Sequence, residues 1–362
     1  MRFEKNDFMR KVFVRFLLVF FATAATLSVV EIFVRIFWNK LSGPAIIPLT
    51  LKTHRISANK RLGYELVPGS VSFEDGSWYR INRDGIRDRE YARAKPEGTF
   101  RIAVLGDSNT FGLGVELEET WPKQLETELR KNGSLIEVIN FGVMGYDTTQ
   151  EAERIQEKVL AYSPDLIIVG YSLNDIGVLS RERRVLSTFK GYDTFLTTGV
   201  GFIDGFLRRL RTLLLIKNRL YLKKTNADKA PPQYSKDGEK FLKFGYNRYF
   251  FEAYNEPENW KILNEAFAKI RDLTRPRDIP VLFVIHTELQ DMDHYLFTEI
   301  HDIAKKLCAD YGFLVFDPLA EMVSYPARDL RISASNIHPN PRGHKIFAQA
   351  IARYLRESSL VK

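Results

Sequence analysis

The sequence predicts an α/β protein with a central parallel β-sheet covered by helices and preceded by one apolar amino-terminal helix. Two observations support this prediction. From residue 100 onward, short apolar strand runs alternate with helical periods, and an uncharged apolar stretch begins at Phe16. Hydrophobic residues make up 45% and charged residues 27% of the 362 residues, which is typical of a globular protein and excludes a disordered one.

The amino-terminal stretch predicts a short cytoplasmic segment and a membrane anchor within residues 1–39, with the contact to the cytoplasmic membrane at 16–38. Its apolar part is about 20 residues long, enough for a helix to cross a bilayer, and Trp38 is a typical interfacial residue. Basic residues precede it, so the positive-inside rule places the amino terminus in the cytoplasm. The rest of this single-pass protein is then periplasmic or at the cell surface. A cleavable signal peptide is the alternative, because Ala22-Thr23-Ala24 resembles a cleavage site.

Charge and cysteine content exclude several classes of function. The net charge of +8 is concentrated at the amino terminus and in residues 208–224, a pattern that suits anionic lipid. No nucleic-acid-binding motif is present, so nucleic acid is not an expected partner. The single cysteine, Cys308, excludes an intrachain disulfide and a cysteine-rich metal site.

The rest of the chain divides into a lead-in and a main domain. Residues 40–99 are interrupted by Pro and Gly and predict short edge strands, whereas the main domain spans 100–362. The predicted strands of the main domain are 100–105, 135–141, 164–171, 280–286 and 313–317, and the predicted helices are 119–131, 147–161, 258–273, 295–310 and 341–357.

Residues 183–257 are too many for a loop between two strands and predict an insertion. Within it, residues 206–224 form a basic and strongly apolar helical segment. Three interpretations are open: a helix lying on the membrane surface, a lid over the site, or a core helix with solvated Lys and Arg.

The most informative motif is Gly106-Asp107-Ser108-Asn109-Thr110, which directly follows the first strand of the main domain. A serine at the carboxyl end of a parallel strand stands where α/β sheets place ligands and chemistry. A following helix also directs free backbone N–H groups toward developing negative charge.

Three further segments fall at predicted strand ends or helix starts. Gly145 follows the second strand, Asn174 follows the third, and His338 precedes the last helix. Acyl transfer through a serine ester requires a nucleophile, oxyanion donors and a base. We therefore predict Ser108 as the nucleophile and His338 as the base. The oxyanion hole is predicted to consist of the Ser108 and Gly145 N–H groups with the Asn174 amide.

Taken together, these four blocks resemble the SGNH (GDSL) hydrolase superfamily, in a membrane-anchored bacterial form. The resemblance covers roughly residues 100–358 outside the insertion. It implies a flavodoxin-like three-layer α/β/α fold and an esterase, lipase, thioesterase, carbohydrate acetyl-esterase or O-acyltransferase activity. It also implies that no metal or organic cofactor is needed.

Two positions depart from the family pattern. Ser172 stands where the third block usually has glycine, and Ser335 stands where the last block usually has the aspartate that orients the histidine. Asn336 could orient the imidazole through its side-chain oxygen instead. An aspartate from elsewhere, Asp317 or Asp329, is the alternative, and a Ser-His dyad is another.

The function predicted is an ester hydrolase that removes an acyl group, acetyl among the options, from an envelope glycan or lipid ester outside the cytoplasmic membrane. One alternative is an O-acyltransferase acting on an extracytoplasmic polysaccharide with a membrane partner that supplies acyl groups. The other is a non-catalytic anchored protein that binds glycan or lipid. Four other histidines, His286, His294, His301 and His344, are interpreted as structural residues and not as metal ligands.

Overall fold

The computed structural model describes residues 2–36, 53–176 and 247–361, apart from positions 75, 132, 334 and 335. These residues fall into two compact units. The long helix α1 (Arg2–Ile36) lies in the first unit, and all other described residues lie in the second. Most of the predicted insertion, including the segment at 206–224, lies outside the described residues.

Helix α1 contains one stretch, Phe13–Val34, that is long and apolar enough to cross a membrane, with a mean hydropathy of 2.3. Its hydroxyl groups are satisfied inside the helix, because Thr23, Thr26 and Ser28 each donate to the backbone carbonyl four residues earlier. A helix in an apolar environment requires such internal bonds. A signal sequence has the same length and composition, so both interpretations of the amino terminus stay predictions.

Two antiparallel hairpins precede the main sheet. Strand β1 (His54–Ile56) pairs with β2 (Tyr64–Leu66), and β3 (Val71–Glu74) pairs with β4 (Ser77–Arg80). Their buried side chains form one hydrophobic cluster with residues that follow the first two strands of the main sheet: Leu62, Tyr64, Leu66, Tyr79, Ile81, Phe111, Leu113, Val143, Met144 and Tyr146. The lead-in therefore packs on the segments that carry the first two motifs.

Among the described residues, the main sheet contains five parallel strands in the order β6-β5-β7-β8-β9. Their bounds are β5 (Phe100–Gly106), β6 (Ile136–Asn140), β7 (Leu166–Tyr171), β8 (Val281–Ile285) and β9 (Leu314–Phe316). Each lies within about two residues of a predicted strand. All residues of β7 and β8 are buried, as expected for central strands covered on both faces.

The helices of this unit cover both faces of the sheet. They are α2 (Ser108–Phe111), α3 (Trp121–Arg130), α4 (Thr148–Glu157), α5 (Asn247–Asn255), α6 (Pro257–Thr274), α7 (Thr298–Tyr311), α8 (Leu319–Met322), α9 (Ala327–Leu330) and α10 (Pro341–Glu357). Helices α3 and α10 bury apolar side chains on one face, whereas α4, α5, α6 and α7 do so on the other. The predicted three-layer α/β/α fold is confirmed.

Three helix boundaries differ from the prediction by two residues or more. The helix predicted from 295 begins at Thr298. The helix predicted from 119 begins at Trp121, because Leu117–Glu119 form a 3₁₀ turn and Pro122 occupies the first helical turn. The helix predicted to reach 161 ends at Glu157, and a 3₁₀ turn, Val159–Tyr162, follows it.

The strand order determines where a site can form. The chain passes from β5 to β6 on one side and then returns to β7 on the other side of β5. The carboxyl end of β5 is therefore a topological switch point, where the crevice of an open α/β sheet lies.

Candidate active site

Ser108 is the first residue of α2 and comes two residues after the end of β5. Asp107 caps this helix, because its carboxylate accepts the Asn109 backbone N–H at 2.8 Å. Gly106 leaves no space for a side chain, since a Cβ there would lie 2.1 Å from Thr110 Oγ1. This local sequence turns the chain sharply and leaves the Ser108 side chain half-buried at the edge of the sheet.

Ser108 and His338 meet although 230 positions separate them, with 2.8 Å between Ser108 Oγ and His338 Nε2. Asn336 Oδ1 lies 2.7 Å from His338 Nδ1 and also accepts the His338 backbone N–H at 3.2 Å. Because this oxygen can only accept, Nδ1 carries the ring proton and Nε2 directs its lone pair at Ser108. This is the tautomer that a general base needs.

The turn that carries His338 is fixed on both sides. Pro339 forms an isolated antiparallel bridge with Arg331. Asn340 caps α10 by accepting the Gly343 N–H at 2.9 Å, and its amide donates to the carbonyl groups of Asp329 and Arg331 at the end of α9. The imidazole is therefore presented by a hydrogen-bonded turn. Ser335, the position where the family pattern has its aspartate, lies outside the described residues.

The two aspartates considered as alternatives to Asn336 are engaged elsewhere. Asp317 bonds to His301 Nδ1 at 3.0 Å. Asp329 lies 3.8 Å from Arg328 and 3.9 Å from Arg342. Of the three candidates for orienting His338, the structure places Asn336 against the imidazole.

Gly145 and Asn174 follow the two strands that flank β5. Gly145 lies in the turn after β6 with φ +74°, and Asn174 lies half-buried in the 3₁₀ turn Leu173–Ile176 after β7. Since β6 and β7 both pair with β5, their carboxyl ends meet at the edge where Ser108 stands. The structure thus brings the predicted blocks to one edge of the sheet, and the oxyanion role of Gly145 and Asn174 stays a prediction.

Ser172, which replaces the usual glycine, has a contact that the sequence did not indicate. Its hydroxyl accepts a hydrogen bond from Asn109 Nδ2 at 3.1 Å, and its backbone N–H donates to Asp175 at 3.0 Å. Asn109 directly follows Ser108, and Ser172 precedes Asn174 by two positions. The departure from glycine therefore adds a bond between the two blocks.

Arg87 in the lead-in also escaped the sequence reasoning. Its fully buried guanidinium donates to the carbonyl oxygens of Phe111, Gly112 and Val115, each at 2.6 Å. Burial lowers the pKa of Arg87 to about 10, and the side chain stays charged at neutral pH. Arg87 thereby fixes the chain that leaves α2. No sequence motif marks Arg87. Its contacts with the carbonyl groups after α2 become visible only in the folded structure.

Five other histidines are described, and all except the exposed His294 make structural contacts; His54 Nδ1, for instance, lies 3.1 Å from Thr53 Oγ1. The His286 ring stacks on Phe347 with centroids 4.5 Å apart, and His344 Nδ1 accepts the Trp121 backbone N–H at 3.2 Å. His301 bridges Tyr295 and Asp317, whereas His294 is exposed. Over the described residues, no group of three or more His, Cys, Asp or Glu side chains is arranged to hold a metal ion.

Besides His54, whose burial lowers its pKa to about 3, two of these histidines make the fold sensitive to acid. Burial lowers the pKa of His286 to about 4, with a smaller contribution from His338 in the same direction and one from Asp107 against it. Burial, aided by His286, lowers the pKa of His344 to about 3. Both folded-state values lie below the usual 6.5, so as the pH falls protons bind the unfolded chain first.

We expect His286→Phe to reduce the loss of stability in acid. Each such histidine lowers the free energy of unfolding by about 1.4 kcal/mol per pH unit between pH 6.5 and the folded-state pKa of about 4. Phenylalanine keeps the ring stack on Phe347 but binds no proton. Urea denaturation of the full chain in detergent at pH 7, 6 and 5 should therefore show a shallower pH slope. His294→Phe is the exposed control, and equal slopes for parent and His286→Phe contradict the prediction.

The sequence matches known proteins at three levels. The family model described as "GDSL-like Lipase/Acylhydrolase family" matches residues 104–346, more than half of the chain. An arylesterase from Vibrio mimicus is 29% identical over 82 residues, which are 23% of this chain and 41% of the relative. The chain thus spans less than half the length of that curated relative.

Solved structures resemble the fold at low identity. An esterase with two domains, active on acetylated mannans, has a TM-score of 0.39 and 14% identity, covering 72% of this chain and 49% of its own. A lipase/acylhydrolase from Enterococcus faecalis has a TM-score of 0.37 and 14% identity, covering 72% and 96%. Likeness at this level says nothing about the substrate of this chain.

Proposed function

The chain belongs to the GDSL-like lipase/acylhydrolase family, and on that premise we propose that it is a serine carboxylic ester hydrolase with Ser108 as its nucleophile. The observation that supports this most directly is the 2.8 Å contact between Ser108 Oγ and His338 Nε2. A hydroxyl is a weak nucleophile by itself, and a base within hydrogen-bonding distance activates it. The Asn336 oxygen on Nδ1 keeps that base in the required tautomer.

In the first half of the proposed reaction, Ser108 Oγ attacks the ester carbonyl carbon while His338 Nε2 takes the hydroxyl proton. The carbonyl oxygen becomes an oxyanion. Donors for it are the backbone N–H groups of Ser108 and Gly145 and the side-chain amide of Asn174. When the tetrahedral intermediate collapses, the C–O bond to the alcohol breaks. Nε2 returns its proton to the leaving oxygen, and the acyl group stays on Ser108.

In the second half, a water molecule takes the place of the alcohol. His338 Nε2 removes a proton from the water as its oxygen attacks the acyl carbon, and the same donors hold the oxyanion again. Collapse breaks the bond to Ser108 Oγ, which recovers its proton from Nε2, and the carboxylic acid leaves. The proposed reaction uses only side chains and backbone groups of the protein, together with the ester and water.

We place the ester substrate, a glycan or lipid that carries an acyl group such as acetyl, outside the cytoplasmic membrane. Three features of α1 support this location. It holds the apolar stretch Phe13–Val34, its hydroxyls are bonded internally, and basic residues cluster at its amino end. With the positive end in the cytoplasm, a single crossing leaves the unit with Ser108 on the other side.

One labelling experiment tests both the serine and its location. Spheroplasts that express the full chain are treated with a fluorophosphonate bearing a charged, membrane-impermeant tag, before and after lysis. We expect one adduct per chain in intact spheroplasts, located by peptide mass at Ser108 and missing from Ser108→Ala.

Each other outcome overturns a different part of the proposal. Labelling only after lysis places the serine in the cytoplasm and contradicts the topology, while the hydrolase assignment stands. An unlabelled chain in lysates, with the same melting temperature as Ser108→Ala, contradicts the activated serine and favours a non-catalytic binding protein. Labelling without net hydrolysis of p-nitrophenyl acetate favours transfer to an acceptor other than water.

A further inference from the structure

The turn that carries Gly145 has two available forms. Tyr146 N–H donates to the Val143 carbonyl at 3.1 Å, so residues 143–146 form a β-turn with Met144 and Gly145 at its centre. Gly145 has φ +74°, the value of the third residue of a type II turn. Types I and II differ in the orientation of the central peptide, here the one between Met144 and Gly145.

This difference decides where one predicted oxyanion donor points. A peptide group is planar, so the Met144 C=O and the Gly145 N–H point in opposite directions. Glycine adopts positive and negative φ about equally well, and the Gly145 backbone alone therefore permits both orientations. The direction of its N–H must be fixed by a contact from outside the turn.

Tyr64 on β2 makes such a contact. Its hydroxyl donates to the Met144 carbonyl at 2.7 Å and is buried together with the ring. The ring packs edge-on against Tyr146 with centroids 5.2 Å apart, and the Tyr146 hydroxyl donates back to the Tyr64 carbonyl at 2.6 Å. The strand and the turn thus hold each other through two reciprocal bonds.

The same hydroxyl explains why position 145 needs glycine. A Cβ on Gly145 would lie 2.9 Å from Tyr64 Oη, closer than real side chains approach, and φ +74° is strained for any other L-residue. A further bond holds the chain just before Tyr64, since Gln150 Nε2 donates to the Leu62 carbonyl at 2.6 Å.

We propose that Tyr64 is a positioning residue for the ester hydrolysis, holding the Met144–Gly145 peptide in the orientation that directs the Gly145 N–H to the oxyanion. This rests on the proposed function and extends the catalytic unit into the lead-in, 80 positions before the turn. In this role Tyr64 acts through the peptide that it holds and not on the reacting atoms.

Tyr64→Phe tests the proposal, because it keeps the ring and removes the hydroxyl. With p-nitrophenyl acetate and the full chain in detergent, we expect kcat to fall about tenfold with KM within twofold of the parent. The rate of fluorophosphonate labelling at Ser108 should fall by a similar factor, since the phosphoryl oxygen uses the same donors.

Tyr311→Phe on α7 is the matched control. It is the same substitution, and it also removes a bond from a tyrosine hydroxyl to a backbone carbonyl, that of Asn264 at 3.0 Å. It leaves the turn at 143–146 and the Tyr64 bond to Met144 in place. We expect a kcat within twofold of the parent for Tyr311→Phe. Equal kcat values for Tyr64→Phe and Tyr311→Phe overturn the proposal.

Gly145→Ala gives a second test if Tyr64→Phe does not fold. It disfavours the type II turn while Tyr64 is intact, so kcat should again fall with little change in KM, and a parental kcat overturns the proposal. The double variant should lose less than the product of the two single losses, because both act on one peptide. A parent that is not labelled at Ser108 refutes the proposed function, whereas a labelled parent with an unaffected Tyr64→Phe refutes only the role of Tyr64.

Discussion

Replacing Ser108 or His338 by alanine is expected to lower kcat by about 10⁴- to 10⁶-fold, and replacing both is expected to lower it no further. The physical reason is the single contact between Ser108 Oγ and His338 Nε2 at 2.8 Å. Each residue is useful only with the other, because the hydroxyl needs a base and the base needs a nucleophile to deprotonate. The residual rate should then come from the oxyanion donors alone.

The measurement is kcat for p-nitrophenyl acetate at saturation, with the single and double variants side by side in detergent. Ser324→Ala and His294→Ala serve as controls, since both side chains are exposed. If the kcat losses of Ser108→Ala and His338→Ala multiply in the double variant, the two residues do not act as a nucleophile–base pair. A His338→Ala variant that keeps the parental rate shows that another group activates Ser108.

Local patterns in the sequence predicted the sheet well. The sequences of β5, β7 and β8 are short and almost wholly apolar. Such segments between helical periods indicate buried parallel strands from local sequence alone. Helix ends were predicted less well, because they depend on caps and 3₁₀ turns such as Leu117–Glu119.

The site was predictable only where a motif marks it. Ser108 and His338 stand in recognisable blocks, and the structure joins them. Tyr64 and Arg87 lie in a segment without a motif, and they act through side-chain bonds to backbone carbonyls far along the chain. No periodicity or local propensity encodes a contact of this kind, since it exists only after the lead-in has packed on the main domain.

The residue that orients His338 was only partly predictable from the sequence. The sequence left Asn336, Asp317 and Asp329 as candidates, and the choice depended on tertiary contacts. Of the three, the Asn336 amide oxygen lies 2.7 Å from His338 Nδ1, and its orienting role stays a prediction. An amide oxygen fixes the tautomer as a carboxylate does, but it carries no charge to stabilise the imidazolium that forms during the reaction.

We expect Asn336→Ala to lower kcat by about 10²- to 10³-fold, because the ring then loses the Asn336 oxygen at Nδ1 and is freer to rotate or change tautomer. Asn336→Asp is the matched variant, since it keeps an oxygen acceptor of the same reach and adds a charge. Its kcat should rise about tenfold above the parent.

The pH profile separates the two contributions of this position. A carboxylate beside the imidazole favours its protonated form, so the acid limb of kcat/KM should move to higher pH in Asn336→Asp while the plateau rises. A profile that moves without a rise in the plateau shows that charge is not limiting. A lower plateau contradicts the missing-charge account altogether. A parental rate in Asn336→Ala reduces the site to a Ser108–His338 dyad, because the contact at Nδ1 then contributes nothing to the transition state.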